Sequence, residues 1–318
     1  MANNNGDTSK RQSVTDKLQT IGRTPISYNI SVRFFSFIIL VALLSGGIVG
    51  LVMTKNNRDY LRQQALQNNL NQANLAAAFA SNYITVIEAH LLVFAIRPDV
   101  RQALTNATMA QLQPTLAQFV QIQTALDSCG IYNTNGIQET NSVADADTIG
   151  QSFADREWFQ QAVATRQPYL GIPVISRTTG KPVAPFAVPI IDDQGQLRGV
   201  LTGGISLAAM ADSIVNINYG SDTHATIIDT RNGGLIIADK DPALLLTAVD
   251  KNNQAVIHLL NAESGTIATT GSNGETNLTG YTQVAGLPWG IMVVTPVASV
   301  FAILMKTRRA EFHVLARG

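Results

Sequence analysis

The sequence predicts an α+β protein with an N-terminal transmembrane helix, a long stalk helix and two tandem modules, each built on an antiparallel sheet. Three observations lead to this prediction. An uncharged apolar run of twenty residues lies near the N-terminus. A long stretch of helical periodicity without glycine or proline follows it. The pattern then changes to period two with tight turns, and this series of elements occurs twice.

Composition limits the classes of function. The chain has 318 residues, and 22 basic residues balance 22 acidic ones, so it lacks the positive charge of a nucleic-acid-binding protein. Cys129 is the only cysteine, which excludes an intramolecular disulfide and a cysteine metal cluster. We expect Cys129 to be a buried thiol beside a strand.

The apolar run at 34–53, FFSFIILVALLSGGIVGLVM, predicts the transmembrane helix. Twenty helical residues span about 30 Å, the thickness of the hydrocarbon core of a bilayer. The run is too long and begins too late for a cleaved signal peptide, and it is more uniformly apolar than a buried core helix. A later apolar run, VASVFAILM, is too short to cross a bilayer, so a single span is expected.

The charges before the apolar run predict its orientation. Residues 1–33 hold five basic and two acidic side chains and otherwise resemble a disordered polar tail. This excess of positive charge predicts a cytoplasmic N-terminus and a bulk of chain outside the cytoplasm. The expected topology is therefore a single pass through a membrane.

Residues 54–125 are predicted to form the stalk helix and a further helical segment. Apolar residues recur at helical spacing from Lys55 to about Arg97, and the first break comes at Pro98. Asp99–Leu104 and Met109–Leu126 are predicted to be further helix.

Residues 126–207 are predicted to form a membrane-distal module. A hairpin turn at Thr134–Gly136 joins the first two strands, the segment GQSFADREWFQQAV at Gly150–Val163 supplies a helix, and three strands form a meander. The predicted strands are Cys129–Asn133, Ile137–Asn141, Tyr169–Ser176, Val183–Ile191 and Leu197–Ser206.

Residues 208–298 are predicted to repeat the same order of elements as a membrane-proximal module. Leu207–Ile217 is the connecting helix, Pro242–Leu260 is helical, and Trp289 is a core residue. The predicted strands are Ala225–Asp229, Leu235–Asp239, Gly265–Thr270, Thr276–Val284 and Gly290–Pro296. Residues 299–318 are predicted to be a basic C-terminal tail.

Several segments resemble the double Cache domain of bacterial extracytoplasmic sensors, whose modules are PAS-like. They are IYNTNGIQETNS, DREWFQQAV, GKPVAPFAVPIIDDQGQLRGVLTGGISL and GLPWGIMVVTP, and the resemblance covers roughly residues 34–300. Their order and spacing carry the resemblance more than any single segment does. It implies a receptor-type sensor that binds a small molecule in the distal module and takes part in signal transduction of the chemotaxis kind.

The resemblance implies a set of ligand-binding residues in the distal module. In the amino-acid-binding members, an Arg-x-Trp-aromatic segment lines the pocket, which here is Arg156, Trp158 and Phe159. Arg156 would hold a ligand carboxylate and Trp158 would form an aromatic wall. The complete implied set is Arg156, Trp158, Phe159, Tyr169, Arg177 and Gly204, with Lys181 near the pocket mouth. The alternative from local sequence is a helix start, with Asp155 as N-cap and Trp158 in the core.

Departures from the family pattern indicate the class of ligand. Phe159 stands where the amino-acid binders have a tyrosine, and Gly171 and Gly204 stand where they have aspartates. Without those carboxylates a buried ammonium group would lack its countercharge, which is costly. We therefore expect an organic anion rather than a free amino acid.

The sequence contains no pattern typical of catalysis. The four histidines have no metal-ligand spacing, no Gly-x-Ser-x-Gly elbow occurs, and the Gly180–Lys181 region has the wrong spacing for a phosphate loop. We expect no enzyme activity, no cofactor and no metal.

The leading hypothesis is a membrane-anchored ligand sensor that signals through a partner or a missing output domain. Its expected partners are the lipid bilayer, a small polar ligand, a second copy through the stalk helix, a cytoplasmic signalling protein, and no nucleic acid. The alternatives are a membrane-tethered solute-binding or scaffold protein without signalling output, or a truncated receptor.

Overall fold

A computed structural model describes residues 26–106, 108–215, 219–220, 222–271 and 274–302. The described chain combines helices with two antiparallel sheets that follow one another along the sequence, which confirms the predicted fold class. Most of the predicted tails, residues 1–25 and 303–318, lie outside the described residues, whereas residues 297–302 are helical.

Helix α1 runs over Ile26–Ala95 and therefore begins before the predicted start of the apolar run at Phe34. Between residues 34 and 53 every large apolar side chain is exposed. Among the described residues, this is the one helix that is long and apolar enough to cross a membrane.

From Leu61 onward the chain forms one compact unit. One face of α1 is buried here at the predicted helical spacing, by Ala73, Ala77, Ala80, Ile84, Ile87, Leu91 and Phe94. Helix α2 spans Pro98–Asn106, a 3₁₀ turn spans Met109–Leu112, and helix α3 spans Gln113–Ile122. The predicted single helix to Leu126 is wrong, because Leu126 already begins the first strand.

The distal sheet has the strand order β2-β1-β6-β5-β3, and β4 pairs with β5. Helix α4, Glu157–Thr165, lies between β2 and β3 in the sequence. The strands are β1 Leu126–Asn133, β2 Gln138–Asn141, β3 Tyr169–Leu170, β4 Val174–Ile175, β5 Pro182–Ile191 and β6 Leu197–Ser206.

The predicted continuous strand Tyr169–Ser176 is wrong, because the chain breaks into β3 and β4. The amide of Ile172 donates to the carboxylate of Glu157 (3.2 Å) instead of to a strand, and Pro173 has no N–H to donate. This break brings the segment 171–173 against helix α4.

The proximal sheet has the equivalent order β8-β7-β11-β10-β9. Its strands are β7 His224–Asp229, β8 Leu235–Ala238, β9 Gly265–Thr270, β10 Thr276–Gln283 and β11 Trp289–Pro296. The predicted helical stretch from 242 to 260 contains only the 3₁₀ turn Pro242–Leu244 and helix α6, Gln254–Leu260. The connecting helix is α5, Leu207–Met210, continued by a π turn at Ala211–Val215.

Both sheets pack on helix α1. A Cβ at Gly280 of β10 would lie 2.2 Å from the amide nitrogen of Leu70, so only glycine allows the helix backbone this close to the sheet. The buried side chain of Asn69 donates to the carbonyl of Leu278 (2.8 Å) and accepts from Thr295 (3.0 Å). The distal sheet is covered by α1 on one face and by α4 on the other.

Candidate functional site

A cleft of about 430 Å³, counting the open space at its mouth, lies in the distal module between the sheet and the start of helix α4. Its floor consists of small residues in register on neighbouring strands. Ser128 pairs with Gly204, and Gly130 pairs with Thr202. A Cβ at Gly204 would find its nearest neighbour, the Ser128 hydroxyl, at 3.4 Å, which is an ordinary contact, whereas a Cβ at Gly130 would lie 2.9 Å from the side-chain amides of Asn141 and Gln138.

Arg156 is the cation of this cleft. It is half-buried, lines the cleft beside Trp158, and forms no ion pair with any residue that the structure describes. Burial and the neighbouring charge of Arg177 lower the pKa of the Arg156 guanidinium, and Asp155 opposes that shift. An arginine remains protonated under these conditions, so the cleft carries a charge that no carboxylate neutralises.

Arg177 also lines the cleft, but its charge is neutralised. Its two terminal nitrogens donate to the carboxylate of Asp155 at 3.1 and 2.6 Å, and its guanidinium lies 5.3 Å from the Phe153 ring centre. Lys181, expected to add positive charge, pairs with Asp127 at 3.1 Å.

Of the local alternative, the core position of Trp158 is confirmed, because this residue is buried in an aromatic cluster, whereas Asp155 as the N-cap of the helix is wrong. The cap residue of α4 is Arg156, in extended conformation and without a side-chain cap hydrogen bond. The Asp155 carboxylate turns instead to Arg177, which holds the pKa of Asp155 below its usual value.

An aromatic cluster forms the inner wall of the cleft. The Tyr132 ring lies edge-on to Phe153 (5.0 Å) and to Trp158 (5.1 Å), and all three residues line the cleft. Burial raises the pKa of Tyr132, whose hydroxyl accepts a hydrogen bond from the Gln138 amide. The wall is therefore apolar with one neutral phenol.

Two residues of the predicted set do not line this cleft. Phe159 points into the core with Trp158 and Ala162, because it follows the tryptophan by one position on a helix. The Tyr169 hydroxyl donates to Glu157, behind the cleft wall. The structure thus brings together Arg156, Trp158, Arg177 and Gly204 from the predicted set.

Sequence reasoning missed the floor of the cleft. Ser128, Gly130, Tyr132 and Thr202 line it, together with Asn141. The first three alternate along one strand, so the period-two pattern of β1 was the signal that could have identified this face. Two buried polar atoms here, the hydroxyl of Thr202 and Oε1 of Gln138, have no hydrogen-bond partner among the described residues.

Within the described residues, no three histidine, cysteine, aspartate or glutamate side chains cluster as metal ligands would. Cys129 is buried as predicted, and burial raises the pKa of its thiol. A second hollow, of about 980 Å³ with its open space, lies along α1 beside Asn69 and Tyr219, and none of the described residues that line it is charged.

Comparison with known proteins gives a family match over most of this chain. The family model described as Cache domain matches residues 57–304. No curated protein matches the chain.

Solved structures with similar folds are sensor domains. The extracellular domain of the putative histidine kinase rpHK1S-Z16 is 17% identical, with 75% of this chain and 97% of that chain covered and a TM-score of 0.61. The ligand-binding domain of the Campylobacter jejuni chemoreceptor Tlp3, solved with 4-methylisoleucine, is 18% identical, with 76% and 94% covered and a TM-score of 0.59. The ligand-binding domain of the Pseudomonas aeruginosa amino acid chemoreceptor PctB, solved with L-Arg, is 19% identical, with 80% and 94% covered and a TM-score of 0.57.

Proposed function

Because this chain belongs to the Cache domain family of sensor modules, we propose that it is a membrane-anchored ligand sensor whose distal module binds a small carboxylate-bearing molecule. One observation carries the proposal: Arg156 lies half-buried in a concave site without an ion-pair partner among the described residues. A desolvated guanidinium forms strong, bidentate hydrogen bonds to a carboxylate, so an anionic ligand supplies the missing countercharge.

The cleft favours an organic acid over a free amino acid. None of its lining residues is an aspartate or glutamate, so an α-ammonium group would be desolvated without a countercharge. Gly204 and Thr202 stand on the floor, where an uncharged polar part of the ligand would meet the unpartnered Thr202 hydroxyl. Tlp3 was solved with 4-methylisoleucine and PctB with L-Arg, whereas the lining of the cleft in this chain offers no carboxylate for an α-ammonium group.

The proposed setting is a membrane. Helix α1 contains the uncharged run at 34–53, and the basic excess in residues 1–33 favours a cytoplasmic N-terminus with the sensor module outside. In this arrangement the ligand is extracytoplasmic, and a partner protein on the other side reads the signal.

The sensor is further proposed to pair with a second copy along α1. Opposite its buried face, α1 exposes a stripe in which apolar residues recur with the alternating 3–4 spacing of a coiled-coil seam. The stripe consists of Leu75, Phe79, Asn82, Val86, Ala89 and Val93, and Ile96 continues the spacing in the turn just after the helix. Glu88 is the only Asp, Glu, Lys or Arg residue between Leu75 and Ile96, so two identical copies would meet with little like-charge repulsion. The single polar Asn82 in the seam would set a parallel register.

The ligand proposal is tested with the full chain in detergent or nanodiscs. Thermal shift and calorimetric titration are measured with glycolate, succinate, L-malate and a set of amino acids. Arg156→Ala is expected to weaken the best acid by about 10- to 100-fold, the effect of losing a charge-assisted hydrogen bond. Arg198→Ala is the matched control, because it removes an arginine of the same module that pairs with Asp192 and does not line the cleft. Equal affinity of the Arg156→Ala variant and the wild type would refute the site.

Pairing is tested by disulfide cross-linking of the full chain in membranes. Ala89→Cys lies in the seam, and Asn74→Cys is an exposed control on the same helix outside it. Rapid cross-linking of the first and not of the second supports the parallel dimer. Equal rates would contradict it.

A further inference from the structure

The wall of the distal cleft includes a backbone segment that does not belong to a continuous strand. Residues 171–173 separate β3 from β4, and Val174, directly after them, lines the cleft. A Cβ at Gly171 would lie 2.7 Å from the Cβ of Trp158, so this backbone touches the tryptophan of the cleft. The position of the segment therefore determines where Trp158 can lie.

The proximal module holds this segment through one arginine. Arg231, in the turn between β7 and β8, donates to the carbonyl of Leu170 (2.9 Å) and to the carbonyl of Gly171 (3.0 Å). Both acceptors are backbone atoms of the distal module, at the start of the segment that contacts Trp158. The two arms of one guanidinium thus hold two consecutive peptide groups.

Arg231 is itself held rigidly. Its Nε donates to Asp229 at 3.0 Å and its second terminal nitrogen pairs with the same carboxylate at 2.5 Å. Asp229 is 1% exposed and also accepts a hydrogen bond from the indole nitrogen of Trp289 at 3.2 Å. The arginine is therefore fixed by the core of the proximal sheet, and it does not behave as a mobile surface side chain.

We propose that Arg231 is a positioning residue for the distal cleft, so that the proximal module sets the placement of Trp158 and hence the affinity for the ligand. This inference rests on the proposed function only in taking the cleft as the ligand site. A lysine cannot replace this arginine, because one ammonium group cannot reach two carbonyls and both carboxylate oxygens in the fork geometry of a guanidinium. Ligand binding against Trp158 would in turn act on the pair Arg231–Asp229, since coupling between two sites is reciprocal.

The two tryptophans of the chain lie on either side of Arg231, which gives a test that needs no ligand. The full chain is labelled with 5-fluorotryptophan, and its two ¹⁹F resonances are assigned with Trp158→Phe and Trp289→Phe. Arg231→Lys is expected to shift or broaden the Trp158 resonance. Arg198→Lys, which alters an exposed Arg–Asp pair of the distal module, is expected to leave it unchanged.

An unchanged Trp158 resonance in Arg231→Lys, or an equal change in Arg198→Lys, would overturn the proposal. Should Arg231→Lys not fold, Asp229→Asn combined with Arg231→Gln replaces it, since this pair leaves no buried charge unmatched. The same expectation for Trp158 then applies to the double variant.

A binding measurement tests whether Arg231 also affects the affinity for the ligand. Titration with succinate, glycolate and L-malate is expected to show about fivefold or greater weakening in Arg231→Lys and none in Arg198→Lys, at a temperature where both variants are folded. Unaltered affinity in Arg231→Lys would overturn the role of Arg231 in binding. If none of the acids binds the wild type, the proposed ligand class fails, and the ¹⁹F measurement alone decides whether Arg231 positions the cleft.

Discussion

The distal and proximal modules share a strand order but differ in how the space between sheet and helix is filled. In the distal module a Cβ at Gly204 would make only ordinary contacts, the nearest 3.4 Å from the Ser128 hydroxyl, whereas in the proximal module a Cβ at Gly290 would lie 2.8 Å from the Leu259 side chain. Leu259 of α6 packs with Ile228, Val256 and Tyr281 into a closed core. The two sheets share a topology, and the large side chain of Leu259 fills in the proximal module the place that forms a cleft in the distal module.

The arginines differ in the same way. Arg156 in the distal cleft has no ion-pair partner among the described residues, whereas Arg231 in the proximal module is paired with Asp229 and holds two carbonyls. A paired arginine supports structure, and an unpaired half-buried one is available to a ligand. The contrast supports the proposal that the distal module binds the ligand and the proximal module supports it.

The largest loss of stability is expected from Asp229→Ala. It leaves the Arg231 guanidinium and the Trp289 indole N–H without their buried partner, and breaking such a pair costs about 3–5 kcal/mol of unfolding free energy. Asp155→Ala in the distal module removes an exposed partner of Arg177 and should change stability little. Chemical denaturation of both variants measures the difference. Similar losses would remove the distinction between a supporting and a binding arginine.

The next effect concerns how each sheet meets helix α1. Gly280→Ala should destabilise by about 1–3 kcal/mol or more, because its Cβ would strike the backbone of Leu70. Gly203→Ala meets only side chains, Leu91 at 2.9 Å and Leu126 at 3.1 Å, whose methyl groups can shift more easily than a backbone, so a loss of about 1 kcal/mol is expected. Thermal unfolding of both variants measures which of the two losses of stability is larger. A larger loss for Gly203→Ala would show that the distal sheet is the more tightly docked one.

A third substitution tests whether the distal cleft depends on the absence of a carboxylate. Gly204→Asp would place its Cβ at ordinary contact distance, 3.4 Å from the Ser128 hydroxyl, and would add a carboxylate to a cleft whose lining residues include none. The affinity for organic acids should fall about tenfold or more, since one like-charge contact costs upward of 1.4 kcal/mol in such a site. Gly204→Asn is the neutral control of the same size. If both variants lose affinity equally, volume rather than charge governs the cleft.

The smallest effect is a pH dependence in the proximal module. Burial lowers the pKa of His224, the charge of Lys240 adds to this, and Asp239 opposes it. The unfolded chain then takes up a proton near pH 6.5 that the folded chain binds only at lower pH, so stability is lost as pH falls from about 6.5 toward the folded pKa. Denaturation midpoints of wild type and His224→Gln at pH 7.5 and 5.5 test this. The same decrease in both would exclude His224 as its source.

Several features were predictable from the sequence because they depend on local patterns. Helical spacing predicted the buried face of α1, and alternation with tight turns predicted all the major strands, among them Gly265–Thr270 and Leu197–Ser206 without error in their bounds. Arg156 and Trp158 were identified through their likeness to a family motif. Trp289 was predicted to be core and is fully buried, although its bond to Asp229 was not foreseen.

Other features depended on contacts between distant segments. Hydrophobic periodicity and strand propensity cannot show that the backbone of Gly171 packs directly against Trp158. The break between β3 and β4 was therefore missed. Nor can they show that Asp155 prefers Arg177, 22 positions away, to the end of its own helix.

The sequence by itself determined the order of elements, the apolar run and the chemical kinds of side chain in the cleft, because each is written in residues close together along the chain. Only the tertiary structure decided that Arg156 has no ion-pair partner among the described residues and that Arg231 is held by the buried Asp229. Charge pairing depends on distances of a few ångströms between segments far apart in sequence, and those distances exist only once the two sheets have packed.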